Sequence, residues 1–338
     1  MNAGWYTSLG MRSPVVQAGM GGGLSTSMLA SAVSRAGGLG TVGIMAPEAF
    51  LAELHRTRTA VGESPFAANL LMPFVRQAHV EACLSERPAV AVLFYGFDAS
   101  LVRRLKQAGI RVWHQIGSVA QARRALSDGA DALIAQGVEA GGHLAGSTPL
   151  RDLLVALKPL AGKTPVLAAG GIFDAASACN AQRLGADGVV AGTRFLLSPE
   201  SDAHPDYQAQ LLRANDTVRT LLFGLSWPAY HRVVPNAAVH RWCHRHSDGP
   251  RWLTLLNHLS IPARRFISLS QASKMAGHQR LGVPFYTAVA KTTKMTECST
   301  EVTPLYAGNC VAQIDSLRDA AEIVEELSQG FLSGSLSN

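Results

Sequence analysis

A closed barrel of eight parallel strands, each followed by a helix, is the fold the sequence predicts, with a smaller mainly helical addition outside it. Three observations carry this. Short β-compatible apolar runs alternate with amphipathic segments through residues 13–191, and such alternation implies parallel pairing through right-handed crossovers. The same punctuation also recurs, in SRAGGLGTVG (34–43), KQAGIRVWHQ (106–115), SDGADALIAQ (127–136) and RLGADGVVAG (183–192). In each, a helix closes on a glycine suited to the left-handed C′ position and an apolar run begins at once. Finally, the 338 residues exceed the roughly 250 typical of such a barrel, which leaves room for a modest second unit.

Taken in order, the strand candidates fall near residues 13–18, 39–43, 66–70, 89–94, 110–115, 131–136, 165–169 and 187–191. The first, PVVQA, stops at GMGGG (19–23), after which Leu24, Met28, Leu29, Ala32 and Val33 recur at helical spacing. Ser118 with Gln121 forms a capping box, and Asp174 serves as an N-cap. A doubly wound open sheet is the competing fold. Against it, GMGGG is not a GxGxxG with an acidic residue about twenty positions on. The expected organisation is a barrel over 1–214, a lid over 215–304 and a C-terminal segment, 305–338, that returns to the barrel. In that last segment Leu317, Ala320, Ala321, Ile323, Val324 and Leu327 describe an amphipathic helix running up to Gly330.

Composition removes several classes of function. Hydrophobic residues make up 47% and charged residues 16%, so a core is available and disorder is excluded. A formal charge of +6 suits an anionic ligand but is no footprint for nucleic acid. The five cysteines contain no CxxC pair, so neither a disulfide framework nor a zinc site is expected. No basic leader with an apolar h-region and no membrane-length apolar run is present. The expectation is a cytoplasmic protein with a small, anionic substrate and no nucleic-acid, membrane or metal partner.

In such a barrel the loops that follow the strands share one end, and the chemistry gathers there. Gly170-Gly171 and Gly192-Thr193 follow the seventh and eighth strands, the usual place for a phosphate held by backbone N–H groups. After the sixth strand comes QGVEAGGHLAG (136–146), three of whose glycines surround one carboxylate and one imidazole. Glycine-lined loops with Asn69 and Gln136 offering amide donors and acceptors suit a planar heteroaromatic. Flavin mononucleotide (FMN) has that shape and a single terminal phosphate. Pyridoxal phosphate would need a lysine at a strand end, and none is found. His143 then sits at the ligand's rim. It is able there to take or give a proton, or to hold an anion by a charge-assisted hydrogen bond. Glu139 either orients His143 or faces solvent, while His204 and Tyr207 open a packing helix. Residues 215–304 mix aromatic and basic side chains between prolines at 228, 235, 250 and 262. They form either a lid over the flavin or a solvated or homo-oligomeric face.

The segments at 14–43, FAANLLMPF (66–74), ALIAQGVEAGGHLAG (132–146), PVLAAGGIFDAASACNAQRLGADGVVAGTRFLLSPES (165–201) and AHPDY (203–207) resemble the nitronate monooxygenase family, formerly called 2-nitropropane dioxygenases. They are similar as well to FMN-dependent enoyl-acyl carrier protein reductases. The likeness covers most of residues 13–225 and resumes weakly at LYAGNCVAQI (305–314). It implies an FMN barrel with flavin contacts at Ala18, Gly19, Met20, Asn69, Gln136, Gly141, Gly142, Gly170, Gly171, Gly192 and Thr193, and His143 as the catalytic residue. Gln115 stands where some members carry a lysine near the flavin. The implied activity is oxidation of alkyl nitronates with O2 to a carbonyl compound and nitrite. The alternatives are NAD(P)H-dependent reduction of an enoyl thioester, a specialised flavin oxygenase of a biosynthetic pathway, or a flavin-binding barrel with a regulatory role.

Overall fold

A computed structural model describes residues 4–265, 267, 269–295 and 297–334. In chain order the strands are β1 (Val15–Gln17), β2 (Gly40–Val42), β3 (Phe66–Leu71), β4 (Val90–Phe94), β5 (Arg111–Ile116), β6 (Ala132–Gln136), β7 (Gly142–His143), β8 (Val166–Ala169), β9 (Gly188–Ala191), β10 (Val218–Thr220) and β11 (His231–Val233). Eight of them pair in parallel, in the order β1-β9-β8-β6-β5-β4-β3-β2. A parallel bridge between Val16 and Leu39 joins the two ends, with Gln17 N donating to Leu39 O at 3.0 Å and Leu39 N to Val15 O at 2.9 Å. The predicted barrel is therefore the observed one.

The helices between the strands begin and end where side-chain chemistry requires. Asp174 accepts from Ser177 N at 2.8 Å, and Ser118 accepts from Gln121 N at 3.3 Å, each satisfying a donor that the first helical turn leaves open. Gln121 does not reach back to Ser118, as a strict capping box would require. Its Oε1 accepts from Gly117 N at 2.7 Å instead. At the other ends, Gly109 and Gly185 take φ values of +81° and +91°, which a side chain would strain.

Seven barrel strands are followed by a helix of nine residues or more, with the 3-10 turn Met72–Phe74 intervening after β3 and the short strand β7 after β6. The eighth helical position is filled from far along the chain, by Ala320–Ser333, which packs on Ala175–Arg183 and Ser27–Arg35. Gly330 permits that approach, since a Cβ there would stand 2.2 Å from Ala175 O. Strand periodicity divides the core into two layers. Ala132 and Ile134 of β6, Trp113 of β5, Ala67 of β3 and Leu167 of β8 belong to one cluster, the barrel interior. Their alternating neighbours Leu133, Ala135, Val166 and Ala168 pack with the surrounding helices. Trp5 closes the lower end, meeting Trp113 at 5.6 Å and donating Nε1–H to Asp187 O at 2.9 Å.

The extension carries helices Ala237–Trp242, Arg251–Leu259 and Leu269–Ala276. It also adds an element absent from the sequence reading. Strands β10, β11 and β7 form a small antiparallel sheet, in which His231 pairs with His143 and Arg232 with Gly142. The glycine-rich loop after β6 is thereby stitched to the extension. Among the described residues no helix is long and apolar enough to cross a membrane.

Candidate active site

Periodicity alone brings the polar side chains to one place. Asn69, Gln115 and Gln136 have the same strand parity as the interior residues Ala67, Trp113 and Ile134, one step nearer the C-terminal ends. They therefore point inward at the top of the barrel. There they line a single cavity together with Ala18, Gly19, Met20, Gly141, Gly142, His143, Gly170, Gly171, Gly192 and Thr193. The structure thus brings every sequence-predicted site residue together.

The glycines leave space that other residues would fill. A Cβ on Gly19 would stand 2.4 Å from Asn69 Cβ, so backbone rather than side chain faces the cavity there. Gly170 and Gly171 hold φ values of +119° and +71°, a turn that turns backbone toward the cavity and disfavours any side chain. Among the described residues no hydrogen bond holds the Asn69 or Gln115 carboxamide. Gln136 is different. Its Nε2 donates to His143 O at 2.9 Å and its Oε1 accepts from Ala145 N at 2.8 Å, so part of its amide capacity shapes the loop that carries His143. Thr193 Oγ1 accepts from Gly308 N at 2.9 Å, tying the C-terminal segment to the end of β9.

His143 is packed more tightly than a loop residue requires. Its ring stacks on Trp227, with centroids 3.9 Å apart and planes at 24°. His231 and Tyr306 lie on other sides, each at 5.3 Å. Part of the residue faces the cavity, while Nε2 is buried without a hydrogen-bond partner. Burial, and second the neighbouring His231, push its pKa well below 6.5, so the imidazole is neutral at pH 7. Burial brings His231 itself down to about 4, and its Nδ1 is paired with Ala229 O at 2.9 Å. Two adjacent neutral imidazoles do not repel as two cations would.

Glu139 plays neither of the roles the sequence suggested. Its carboxylate accepts from Leu150 N at 3.0 and 3.3 Å, satisfying a donor at the start of the helix Leu150–Ala161, where a negative charge also complements the helix dipole. The helix-initiating Pro149-Leu150 lies eleven positions on, beyond the reach of a capping-box search. His204 and Tyr207 do begin a packing helix, Pro205–Leu212. Tyr207, fully buried, donates to Tyr306 O at 2.8 Å. Three residues near His143 escaped the sequence reading. Tyr95 follows strand β4 and donates to Leu144 O at 2.5 Å; extending the strand-end rule to that loop would have found it. Tyr306 carried no signal, and Trp227 stood only within an aromatic and basic mixture.

A strand-end cavity bordered by a neutral histidine and bare glycine loops on a (β/α)8 barrel is a candidate active site, and similarity to known proteins gives its class, that of the FMN-dependent oxidoreductases. A family model described as nitronate monooxygenase matches residues 6–82 and 73–330, and the chain belongs to that family. Membership implies FMN as its cofactor. The chain is 34% identical over 276 residues to a nitronate monooxygenase of Pseudomonas aeruginosa, covering 68% of this chain and 78% of that one. It is 35% identical over 240 residues to a Mycobacterium tuberculosis protein, (3aS,4S,5R,7aS)-5-hydroxy-7a-methyl-1-oxo-octahydro-1H-indene-4-carboxyl-CoA dehydrogenase, covering 69% of this chain and 66% of that one. Among solved structures, a nitroalkane oxidase from Streptomyces ansochromogenes superposes with a TM-score of 0.76 at 25% identity, covering 98% of this chain and 99% of that one.

Proposed function

We propose that this chain oxidises alkyl nitronates, and the nitroalkanes that give rise to them, with O2 to a carbonyl compound and nitrite. We further propose that His143 is its catalytic residue and that residues 215–304 act as the lid. The observation that carries the reading is the neutral His143 ring, bordering the cavity with an unpartnered Nε2. The cavity suits FMN in its chemistry. At Gly142 and Gly171, both in the lining, a Cβ would meet nothing within 4 Å, so they give the bare-backbone wall a flat ring needs, while Gly19 and Gly141 are kept bare by their contact with Asn69 and Ala307. Asn69 and Gln115 offer free carboxamides to a heterocycle edge, and Gly170, Gly171, Gly192 and Thr193 occupy the corner where barrels of this kind hold a phosphate. Ala18, Met20, Gln136 and Gly142 complete the lining. Bound there, FMN supplies the electron acceptor and the reactivity toward O2.

The protein's own contribution is proton handling and exclusion of water. Because its pKa lies well below 6.5, the His143 ring at the cavity border is unprotonated and takes the proton from the carbon alpha to a nitro group. The imidazolium that results sits beside the nitronate it has produced and holds it by a charge-assisted hydrogen bond. Stacking on Trp227 fixes the ring plane, and the Gln136 amide fixes the loop backbone on both sides of His143. Leu225, Leu269, Met275 and Val289 of the extension close the far wall, leaving an apolar space in which these charges are weakly screened.

That apolar wall extends further than a short nitronate needs, and this favours one second reading, NAD(P)H-dependent reduction of an enoyl thioester. Purified flavoprotein supplied with propyl-2-nitronate and O2 is expected to release nitrite, and not to oxidise NADH or NADPH at a comparable rate. Replacing His143→Asn should lower kcat/KM for nitroethane by 10²–10⁴-fold, about the reach of general-base catalysis, while FMN remains bound. Nicotinamide consumption with an enoyl thioester and no nitrite would replace the first reading by the second. Full activity in His143→Asn would remove the histidine from either.

A further inference from the structure

Behind the wall that stacks on His143 lies a second cavity, bounded by Tyr95, Arg219, Trp227, Tyr230, His258 and Arg264. Trp227 lines both spaces and meets Tyr95 edge to face, with centroids 5.2 Å apart at 78°. Trp227 is thus the partition between the cavities, with Tyr95 against it on the side of the second. Tyr95 at φ +60° and Ser226, the residue before Trp227, at φ +62° both lie in the left-handed region. Non-glycine residues adopt that conformation only where the surroundings impose it, and such positions cluster at ligand sites and switches.

The cations beyond the partition have no internal use. Arg219 lays its guanidinium 3.6 Å from the centre of the Tyr230 ring, and its Nε is buried without a hydrogen-bond partner. Arg264 stands 5.8 Å from the Phe74 ring centre. Neither joins any ion pair among the described residues. Arg232, the register partner of Arg219 on the neighbouring strand β11, shows the contrast, since its guanidinium donates to Val138 O at 2.8 and 3.0 Å and to Thr217 Oγ1 at 3.2 Å. The segment that carries both arginines is strongly basic. Residues 217–296 contain eleven lysines and arginines against a single carboxylate, Asp248, which accepts from the Tyr230 hydroxyl at 2.9 Å. A flat guanidinium held on an aromatic face with free N–H groups is the geometry that receives a carboxylate or phosphate through paired hydrogen bonds.

We propose that Arg219 and Arg264 form a distal anion site for the far end of the substrate, a carboxylate or a phosphate, while the reacting carbon lies beside His143 and the apolar middle passes the edge of the Trp227 ring that the two cavities share. The inference rests on the function proposed above and specifies its substrate class. The substrate is an extended molecule with an apolar middle and a terminal anion, long enough to engage both cavities. A three-carbon nitronate is too short to do so.

The test uses the full-length flavoprotein and the variants R219Q, R219K and R264Q, with unbranched nitronates of increasing length, uncharged or ending in carboxylate or phosphate. For long chains the ratio of kcat/KM for charged over uncharged substrates should fall about tenfold or more in R219Q and R264Q, the worth of a charge-assisted hydrogen bond. It should fall less in R219K, and it should barely change for three-carbon substrates. An unchanged ratio, or equal loss on charged and uncharged chains, overturns the proposal. A second readout needs no turnover: quenching of tryptophan fluorescence by adipate and by hexyl phosphate. Saturable quenching that weakens in R219Q and R264Q supports the site even where no nitronate is consumed, in which case the function above fails alone. The tighter probe identifies the anion as carboxylate or phosphate. Absence of saturable quenching by both probes in the unaltered protein overturns the proposal.

Discussion

The barrel and the extension are built by different rules. In the barrel, every strand lies between two neighbours, so interior and helix-facing side chains alternate and almost every apolar side chain is covered. Trp113 is 1% exposed and Phe66 0%. In the extension no repeating frame exists, and apolar residues are left on the surface: Trp252 is 52% exposed and Leu259 69%. Individual polar anchors hold it in place. Asn236 Nδ2 donates to Thr300 O at 2.7 Å and to Thr303 O at 2.8 Å, and the Tyr306 hydroxyl donates to Ala288 O at 2.8 Å. The barrel thus supplies stability and a fixed cradle, and the extension supplies a wall whose chemistry is free to vary. The packing of His143 needs both, because the ring comes from a barrel loop and its stacking partner from the extension.

The largest expected effect falls on the barrel. Trp113→Ala removes the side chain that fills the interior against Trp5 and should lower unfolding stability by about 3–5 kcal/mol. Urea denaturation followed by far-ultraviolet circular dichroism would measure it. A loss below about 1 kcal/mol would show that the barrel interior relaxes as readily as the extension, and the contrast between the two would collapse.

Next comes a pH effect that also belongs to the barrel. His114 sits on β5 with the opposite parity to Gln115, so it faces the helices, stacked on Phe97 at 4.8 Å, its Nε2 buried without a partner. Burial brings its pKa down to about 4, so between pH 6.5 and 4 the unfolded chain binds a proton that the folded chain refuses. Stability is complete above pH 6.5 and declines as the pH falls toward 4, and His114 alone contributes about 3 kcal/mol of that decline. His231 and His143 add to it in the same direction. Comparing wild type with His114→Leu at pH 7 and pH 4.5 isolates the share. An identical acid dependence in both proteins would mean that His114 is already protonated when folded.

How much of this was legible follows from the same contrast. Barrel strands were readable within two residues because short apolar runs and helix-ending glycines repeat along the chain, and the site residues followed from their place at the strand ends. The extension has no period to read. Strands β10 and β11 are three residues each, too short to show alternation, and β10 is half-buried. The pairing of His231 with His143 joins positions distant in the chain, and nothing local marks it. Trp227 and Tyr306 are brought to His143 only by that pairing and by the barrel's closure. Glu139 was misjudged because its carboxylate serves a helix eleven residues on, a contact set by the folded loop and not by spacing.

A sharper test of the division of labour is Trp227→Ala. The indole, from the extension, is what shields the barrel's His143 from water. Its loss should let water reach the imidazole and move the pKa back up toward 6.5, since burial is the first cause of its depression. Activity that depends on the neutral ring would then fall on acidification from about pH 6.5, where the unaltered protein keeps it to much lower pH. The pH profile of kcat/KM for a neutral nitroalkane reads this directly. An acid limb at the same pH in both proteins would place the desolvation in the barrel alone.

The smallest effect expected is on the extension's surface. Trp252 has the same side chain as Trp113, yet half of it already meets water, and among rings its contact is an edge-to-face one with Trp242 at 6.1 Å. Trp252→Ala exchanges little buried area and opens no enclosed cavity, so the loss should stay under about 1 kcal/mol. Measured beside Trp113→Ala under the same denaturant conditions, the pair compares one residue type in the two settings. A loss at Trp252 approaching that at Trp113 would mean that this face is covered in solution, since only burial gives a tryptophan such weight. The exposed Leu255 and Leu259 on the same helix would then have to be covered with it, and stability would rise with protein concentration if a second copy did the covering.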